Sequence, residues 1–441
     1  MLIRFTVENF LSFKERIEFS MIPSQVRQPD DIKVLKTAVV YGANAAGKSN
    51  LIRAMDFAKK LITEGTEPNK FIPLSSFKLD ETSLDKPSRF EFEFKQSGKN
   101  YAYGFSLNHQ WILEEWLYEI NQIDEKPLFE RQTQKDEEVI VTPGATLQLS
   151  DDELGVFKYT GNIGTRPNQL FLTEISKLHH KKLNLSALIE SYQWFDKVLT
   201  IMLKDTKSAG LALQGEHLIQ DNFSNLLNIF DTGITGIKTI EVDFNNQLKD
   251  LSQAVKDNIA LNLESGESIL VRANNRQYVI FREGCQIKAV KLMTQHPTQG
   301  GLEALFEINE ESEGTQRLID LIPALRSLLN SEKVLVIDEF ERSLHPRLTK
   351  ALLALFLTHC PDINSQLIVT THEAGLLDLE LLRKDEIWFV EKNQAGESSV
   401  YSLEEFKPNY DKDIQTGYLL GRFGAVPLIR SRLFKSPKVE S

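Results

Sequence analysis

Gly42-Ala43-Asn44-Ala45-Ala46-Gly47-Lys48-Ser49 decides how the rest of this chain is read. It matches the P-loop pattern, in which two glycines bracket four free positions and Lys-Ser follows. Thr37-Ala38-Val39-Val40-Tyr41 leads in as an apolar run suited to a buried strand. Behind the loop, Asn50 to Leu61 reads as a helix with Leu51, Ile52, Met55, Phe57, Ala58 and Leu61 apolar. Strand, loop and helix in that order are the context the pattern requires. The glycines let the backbone curl so that successive N–H groups point inward, and with the helix N-terminus they make an anion site for phosphates. Gly42, Asn44, Ala45, Ala46, Gly47, Lys48, Ser49 and Asn50 are therefore the candidate phosphate-binding residues. Lys48 is expected to bring a point charge to the β- and γ-phosphates, and Ser49 a hydroxyl ligand for Mg²⁺.

The 441 residues are enough for two or three domains and a sizeable core. Hydrophobic residues make up 41% and charged residues 26%, the balance of an ordinary soluble globular protein. No apolar run approaches the ~18 residues of a membrane helix, and Met1-Leu2-Ile3-Arg4-Phe5 lacks the layout of a signal peptide. The two cysteines, Cys285 and Cys360, lie far apart without metal spacing and fit a reducing cytoplasm. A formal net charge of −11 does not advertise nucleic-acid binding, although it leaves room for a local basic patch. Charge alone favours a protein partner over bare nucleic acid.

Ile3, Phe5 and Val7 alternate with polar residues over Met1 to Phe10, which predicts a half-buried strand. A turn at Asn9-Phe10-Leu11-Ser12-Phe13 and a second alternating run, Arg16 to Met21, follow. Phe90 to Phe94 and Tyr101 to Leu107 read as strands joined by a hairpin turn at Ser97-Gly98-Lys99-Asn100. Trp111 to Ile120 and Glu138 to Thr142 extend this into an antiparallel sheet beside the P-loop core. Leu170 to Leu178, Leu185 to Leu203 and His217 to Phe230 carry helical spacing, and Gly233 and Gly236 close that region. Strand-like runs at Ile237 to Phe244, Ser268 to Val271 and Tyr278 to Arg282 surround a helix expected at Leu248 to Leu261. Further on, Thr315 to Leu329 (with Pro323 expected to kink it) and Leu348 to Thr358 are expected helices. Gln366 to His372 and Glu386 to Val390 are expected strands, and Lys435 to Ser441 a frayed tail. His179-His180-Lys181-Lys182 reads as a solvated helix face. No internal repeat, low-complexity tract or long heptad array is visible.

Val334-Leu335-Val336-Ile337-Asp338-Glu339 is a hydrophobic strand ending in two carboxylates, the form of a Walker B strand. Asp338 is expected to orient Mg²⁺ and Glu339 to polarise the attacking water as general base. His372, after Ile368-Val369-Thr370-Thr371, is expected at the tip of the neighbouring strand, where it could sense the γ-phosphate.

These residues resemble the ABC-type ATPases, the branch that includes the SMC, RecF and repair ATPases. Ser312-Glu313-Gly314-Thr315-Gln316-Arg317 stands in that family's signature position. It departs from Leu-Ser-Gly-Gly-Gln: Gly314 and Gln316 match, Glu313 stands where serine belongs, and Ser312 falls one place early. The resemblance implies that Ser312, Gly314 and Gln316 contact nucleotide across a dimer. Ser343-Leu344-His345-Pro346 occupies the D-loop position, with His345 in place of aspartate. Gln169 and Gln110 are both candidates for the family's Q-loop residue. A closer resemblance is to the RloA-like "AAA family ATPase" proteins of prokaryotic anti-phage defence. It rests on Val7-Glu8-Asn9-Phe10-Leu11-Ser12-Phe13, the Ser-x-Gly-Thr-x-Arg signature, Ile337-Asp338-Glu339, Ser343 to Pro346, Thr370-Thr371-His372 and Gly421-Arg422-Phe423-Gly424-Ala425-Val426-Pro427.

The expectation is thus an α/β, ABC-type ATPase head with a mixed or parallel core sheet, an antiparallel β-subdomain and a helical insertion. The expected bounds are residues 1–165 for the N-terminal ATPase lobe, 166–290 for a mainly helical insertion and 291–441 for the C-terminal lobe. The resemblance implies ATP and Mg²⁺ as ligands, with Lys48, Glu339 and His372 catalytic and Ser49 and Asp338 on the metal. One P-loop and one signature per chain imply a homodimer or higher oligomer, cytoplasmic and without membrane attachment. A sensor or scaffold role toward a separately encoded nuclease or toxin follows from the resemblance. A DNA-binding repair ATPase of the RecF or SMC kind is the alternative. The missing heptad arm and the acidic charge argue against it, and the stretch after His372 lacks an acidic Asp-x-Asp cluster on a strand, which a fused OLD-type nuclease would carry.

Overall fold

The computed structural model describes residues 1–24, 32–121, 124–178, 185–204, 227, 230–246, 248, 251–263, 268–273, 276–359, 364–406 and 414–427. In chain order its strands begin with β1 (Leu2–Glu8), β2 (Ile17–Ser20), β3 (Thr37–Gly42), β4 (Ser88–Gln96), β5 (Lys99–Leu107) and β6 (Ile112–Ile120). Next come β7 (Glu125–Thr133), β8 (Val139–Pro143), β9 (Leu199–Met202), β10 (Gly236–Val242), β11 (Ser268–Ala273) and β12 (Arg276–Glu283). The last are β13 (Gln286–Pro297), β14 (Glu303–Glu307), β15 (Val334–Ile337), β16 (Gln366–Thr370), β17 (Ile387–Lys392) and β18 (Ser398–Ser402). Contacts divide the chain into two compact units: Met1–Ile201 with Val336–Glu339 and Gln366–Ser441, and Met202–Leu335 with Phe340–Ser365.

The first unit holds two sheets. One is seven-stranded, ordered β2-β1-β4-β5-β6-β7-β8, with every neighbouring pair antiparallel. Strict alternation in β4 sends Phe90, Phe92 and Phe94 to the buried face and the charged residues between them outward. The β4–β5 hairpin closes through Ser97 (φ 51) and Gly98 (φ 79), the two positive φ values that a type I′ turn needs. The other sheet is mixed, ordered β18-β17-β3-β16-β15-β9, with β3 parallel to both β16 and β17 and β18 antiparallel to β17. β3 is buried at every position, as a central parallel strand should be. The helix Lys48–Thr63 buries Leu51, Ile52, Met55, Ala58, Leu61 and Ile62, one face at helical spacing. Each large aliphatic among them contributes about 1.5–3 kcal/mol.

Two buried polar side chains tie this unit together. Gln366 accepts from Leu2 N at 2.5 Å and donates to Leu2 O at 2.9 Å and Leu35 O at 2.8 Å, so it joins β1 to the mixed sheet. Glu115, fully buried, accepts from Tyr103 Oη at 2.9 Å, Phe171 N at 2.7 Å and Leu172 N at 2.9 Å, with Arg131 Nε at 4.0 Å. Burial pushes its carboxyl above the ordinary range, against the pull of Arg131 and the two backbone amides.

The second unit contains an antiparallel sheet ordered β10-β13-β12-β11, with β14 on β13. Phe244, Leu248, Leu263, Tyr278, Ile280 and Ala289 form its core cluster. The helices Gln253–Asn262, Glu313–Asn330, which contains Pro323, and Pro346–His359 also belong to this unit. Among the described residues no helix is long and apolar enough to cross a membrane.

Several local expectations change. The run Leu185 to Leu203 is not one helix: Ser186–Gln193 gives way to a π-turn at Trp194–Val198 and then to β9. Trp194 stacks on Phe94 with centroids 4.4 Å apart, and Phe195 packs edge-on against Phe92 and Phe94. That packing overrides the helical spacing. Strands β7, β13, β14 and β18 and the helix Asp151–Tyr159 add elements that the sequence pattern did not single out. The expected helix His217 to Phe230 falls almost wholly outside the described residues, as do Cys360, His179 to Lys182 and Lys435 to Ser441.

Removing the Glu115 carboxylate would leave Arg131 buried without its counter-charge. Glu115→Ala is expected to lower unfolding free energy by about 3–5 kcal/mol, read by urea denaturation. A loss below about 1 kcal/mol, the size of one ordinary hydrogen bond, would mean that this cluster does not hold the sheet to the segment at Phe171.

Candidate functional site

β3 runs straight into the P-loop, and the loop's backbone shows why its glycines stand where they do. A Cβ at Gly42 would lie 2.5 Å from Val390 O. Gly47 has φ 121, and a Cβ there would lie 2.4 Å from Ser398 Oγ. Ala45 also has positive φ, at 63, which turns its peptide against the run of the loop. Gly47 caps the helix Lys48–Thr63 without any side-chain hydrogen bond, and no acidic residue occupies the first turn. The first N–H groups thus face an anion site that no carboxylate of that turn competes for. Asn44 and Ala45 are exposed, Ala46 is buried and Ser49 and Asn50 are half-buried, so the described loop opens at its crest.

Lys48 is 5% exposed, and its Nζ donates to Gly42 O at 2.7 Å and Ala43 O at 3.2 Å. His372 Nδ1 lies 3.3 Å from the same Nζ. The adjacent strand ends of the mixed sheet thus bring together a residue from the P-loop and one some three hundred positions later, |i−j| being 324. Ser49 Oγ donates to Asp338 Oδ1 at 3.1 Å. Thr370 Oγ1 donates to the same Oδ1 at 2.6 Å and accepts from Glu339 N at 2.9 Å. Glu339 has φ 50, a left-handed conformation that turns the chain sharply after β15. Lys48, Ser49, Asp338, Glu339 and His372 therefore gather at the carboxyl ends of β3, β15 and β16, the edge where open α/β sheets bind ligands.

The hydroxyl of Ser49 and the carboxylate of Asp338 form an all-oxygen pair of the kind that holds Mg²⁺ together with substrate phosphates. Among the described residues no group of three His, Cys, Asp or Glu side chains gathers into a metal cage. The donor set thus fits a cation shared with a phosphate ligand.

Ser312, Gly314 and Gln316 lie in the second unit. Ser312 caps the helix Glu313–Asn330 through Thr315 N at 3.1 Å, and Gln316 Nε2 donates to Glu311 O at 2.9 Å. Gly314 lets the chain approach Ser343, whose carbonyl oxygen would lie 2.8 Å from a Cβ there. The signature-position and D-loop-position segments are thereby neighbours, and Ser343 Oγ donates to Glu313 Oε2 at 3.3 Å. His345 Nδ1 accepts from Arg347 N at 3.2 Å and caps the helix that Pro346 opens, which accounts for the histidine locally. Of the two Q-loop candidates, Gln169 is buried and accepts from Thr66 N and Oγ1 at 2.7 and 2.6 Å, and Gln110 is exposed on a turn. The Gly421 to Pro427 motif is a tight turn whose Phe423 stacks on Phe389 at 5.9 Å. The sequence reading quoted Ser12 and Thr370 within longer motifs but gave no site role to them or to Ser398, and all three touch the P-loop or the Asp338–Glu339 pair. For Thr370 the available signal was a pair of threonines at the polar tip of a buried strand.

A P-loop opening a helix, with a histidine after the adjacent strand and an Asp-Glu pair after the strand beyond it, is the arrangement of a P-loop nucleotide-binding domain. The chain belongs to the family described as "AAA domain, putative AbiEii toxin, Type IV TA system", whose model matches residues 38–378. Among solved structures it is similar to the SMC head domain from Thermotoga maritima, at 13% identity and TM-score 0.33, over 91% of this chain and 98% of that one. It is also similar to an Smc head domain bound to the C-terminal domain of ScpA derived from Pyrococcus furiosus. That match has 12% identity and TM-score 0.36, over 96% of this chain and 99% of that one. No curated protein matches the sequence.

Thr370→Val keeps the side-chain shape and removes the hydroxyl that links Asp338 to the Glu339 backbone. It is expected to cost about 1–3 kcal/mol of stability, with Thr370→Ser restoring most of it, both read by urea denaturation. Equal stability of the valine variant and the parent would mean that the hydroxyl does not hold this pair.

Proposed function

We propose that this chain hydrolyses ATP in a Mg²⁺-dependent reaction and works as the sensor or scaffold of a prokaryotic anti-phage defence system, regulating a separate nuclease or toxin through ATP-dependent dimerisation. The observation that carries the enzymatic part is the gathering of Lys48, Ser49, Asp338, Glu339 and His372 at one edge of the mixed sheet. The defence part draws support from the words of the family description, "putative AbiEii toxin, Type IV TA system".

In this reading the inward N–H groups of Gly42 to Ser49 bind the phosphates, and Lys48 moves from the Gly42 and Ala43 carbonyls to the β- and γ-phosphate oxygens. Ser49 and Asp338 would hold Mg²⁺, which when bound would neutralise charge developing on the phosphate oxygens. Glu339 accepts the proton of the attacking water. His372, already beside Lys48, reaches the γ-phosphate by hydrogen bond. Ser312, Gly314 and Gln316 of one protomer face the nucleotide of its partner, so that bound ATP favours the associated state and hydrolysis releases it.

Glu339→Gln preserves size and hydrogen bonding and removes the base. The variant is expected to bind ATP, to turn it over about 100-fold or more slowly and to accumulate as the associated form in light scattering. Normal turnover would remove Glu339 from its role. Affinity capture on the same variant in native host cells tests the biological part. A stoichiometric small protein with little nucleic acid supports the defence role, whereas abundant DNA with no protein partner favours a repair ATPase.

A further inference from the structure

A loop that turns its N–H groups inward around a phosphate turns carbonyls outward, and an outward carbonyl facing protein needs a donor. Ala46, 4% exposed, has its carbonyl 2.6 Å from Ser398 Oγ. Ser398 Oγ lies 2.8 Å from Ser12 Oγ, which accepts from Asn50 Nδ2 at 2.8 Å. Ser398 Oγ faces two acceptors, the Ala46 carbonyl and Ser12 Oγ, and shares its one proton between them. Ser398 N also donates to Ser12 O at 2.7 Å, which fixes the two main chains together. Both serines press on Gly47: a Cβ there would lie 2.4 Å from Ser398 Oγ and 2.9 Å from Ser12 Oγ. The two serines come from opposite ends of the chain, |i−j| being 386, yet each is only 6% exposed.

Their supports are equally specific. Ser12 sits on a tight turn closed by Phe10 N to Phe13 O at 2.8 Å and Phe13 N to Phe10 O at 2.9 Å, with Asn9 and Leu11 at φ 50 and 52. Asn9 Nδ2 ties the turn to Ser83 O at 2.7 Å. Lys14 bridges Asp80 and Glu397, each at 3.1 Å, beside Ser398.

We propose that Ser12 and Ser398 are positioning residues for nucleotide binding, a buried hydroxyl pair that holds the P-loop in its phosphate-receiving shape from the outer side. The proposal rests on the reading of Gly42 to Ser49 as a nucleotide site and adds what keeps that site formed. Neither serine faces the phosphates, so their loss falls on affinity rather than on the chemical step.

The test is calorimetric titration of the full-length Ser398→Ala chain with ATP, beside the parent and Lys48→Ala, together with steady-state kinetics and nucleotide-free thermal unfolding. Ser398→Ala is expected to weaken ATP binding about 10-fold, to raise KM rather than lower kcat, and to melt near the parent without nucleotide. The double variant with Ser12→Ala is expected to lose little more than Ser398→Ala alone, because the two hydroxyls act as one unit. Parent-like affinity in Ser398→Ala, with Lys48→Ala impaired, overturns the clamp and leaves the nucleotide site standing. A parent that does not bind ATP overturns the site itself. If Ser398→Ala melts below the assay temperature, Ser12→Ala decides: it leaves the Ala46 carbonyl its donor, weakened binding supports the proposal and unchanged affinity overturns it.

Discussion

The hydrogen bond from Ser49 Oγ to Asp338 Oδ1 joins two stretches 289 positions apart, and the candidate site exists only where they meet. Each partner alone is ordinary, a serine at the start of a helix and an aspartate at the end of a buried strand. Their meeting requires β3 and β15 to end at the same edge of one sheet, with β16 between them. That strand contributes Thr370, whose hydroxyl donates to Asp338 while taking the Glu339 amide. One buried hydroxyl thus orders both acidic residues, and it does so through directional bonds that an apolar side chain of the same shape could not replace.

Glycine and positive φ mark the positions where the backbone turns most sharply or is approached most closely. Gly42 and Gly47 admit carbonyl and hydroxyl oxygens closer than any Cβ would allow. Glu339 and Ser343 adopt left-handed conformations without being glycine, at φ 50 and 60, and so carry strain that the surrounding packing must offset. Both follow closely on β15. The turn that re-aims the chain there also separates the Asp338–Glu339 pair, which belongs to the first compact unit, from the Ser343 segment, which belongs to the second.

Much of the site was legible because phosphate chemistry constrains residue type and spacing within a short stretch. Gly42 to Ser49, Val334 to Glu339 and the run ending in His372 are each local patterns, and their mutual contacts follow from strand ends sharing an edge. The serines that back the P-loop were not legible as such. Ser398 has no local pattern, and its role arises from a contact between residues almost four hundred positions apart. The middle of the chain was less legible for a different reason. Strands such as β13, with only part of its length buried, show neither a clean alternation nor an apolar run, and Trp194 with Phe195 imposes a π-turn where spacing alone favours helix. Glu115, a charged residue whose side chain is wholly buried, is likewise visible only once Tyr103, Arg131 and the amide of Phe171 surround it.

The place of β3 in its sheet has a consequence for how the molecule is made. Thr37 pairs with Leu367 on one side, and Val39 pairs with Ile387 on the other. A ribosome releases β3 and the P-loop long before either neighbour, so the strand spends most of synthesis with both edges unpaired. Such distant pairings fold slowly and leave apolar edges open to misassociation in the meantime. The P-loop strand gains both neighbours only after β17 has emerged, and a product stalled before that point carries the P-loop sequence on an unpaired strand.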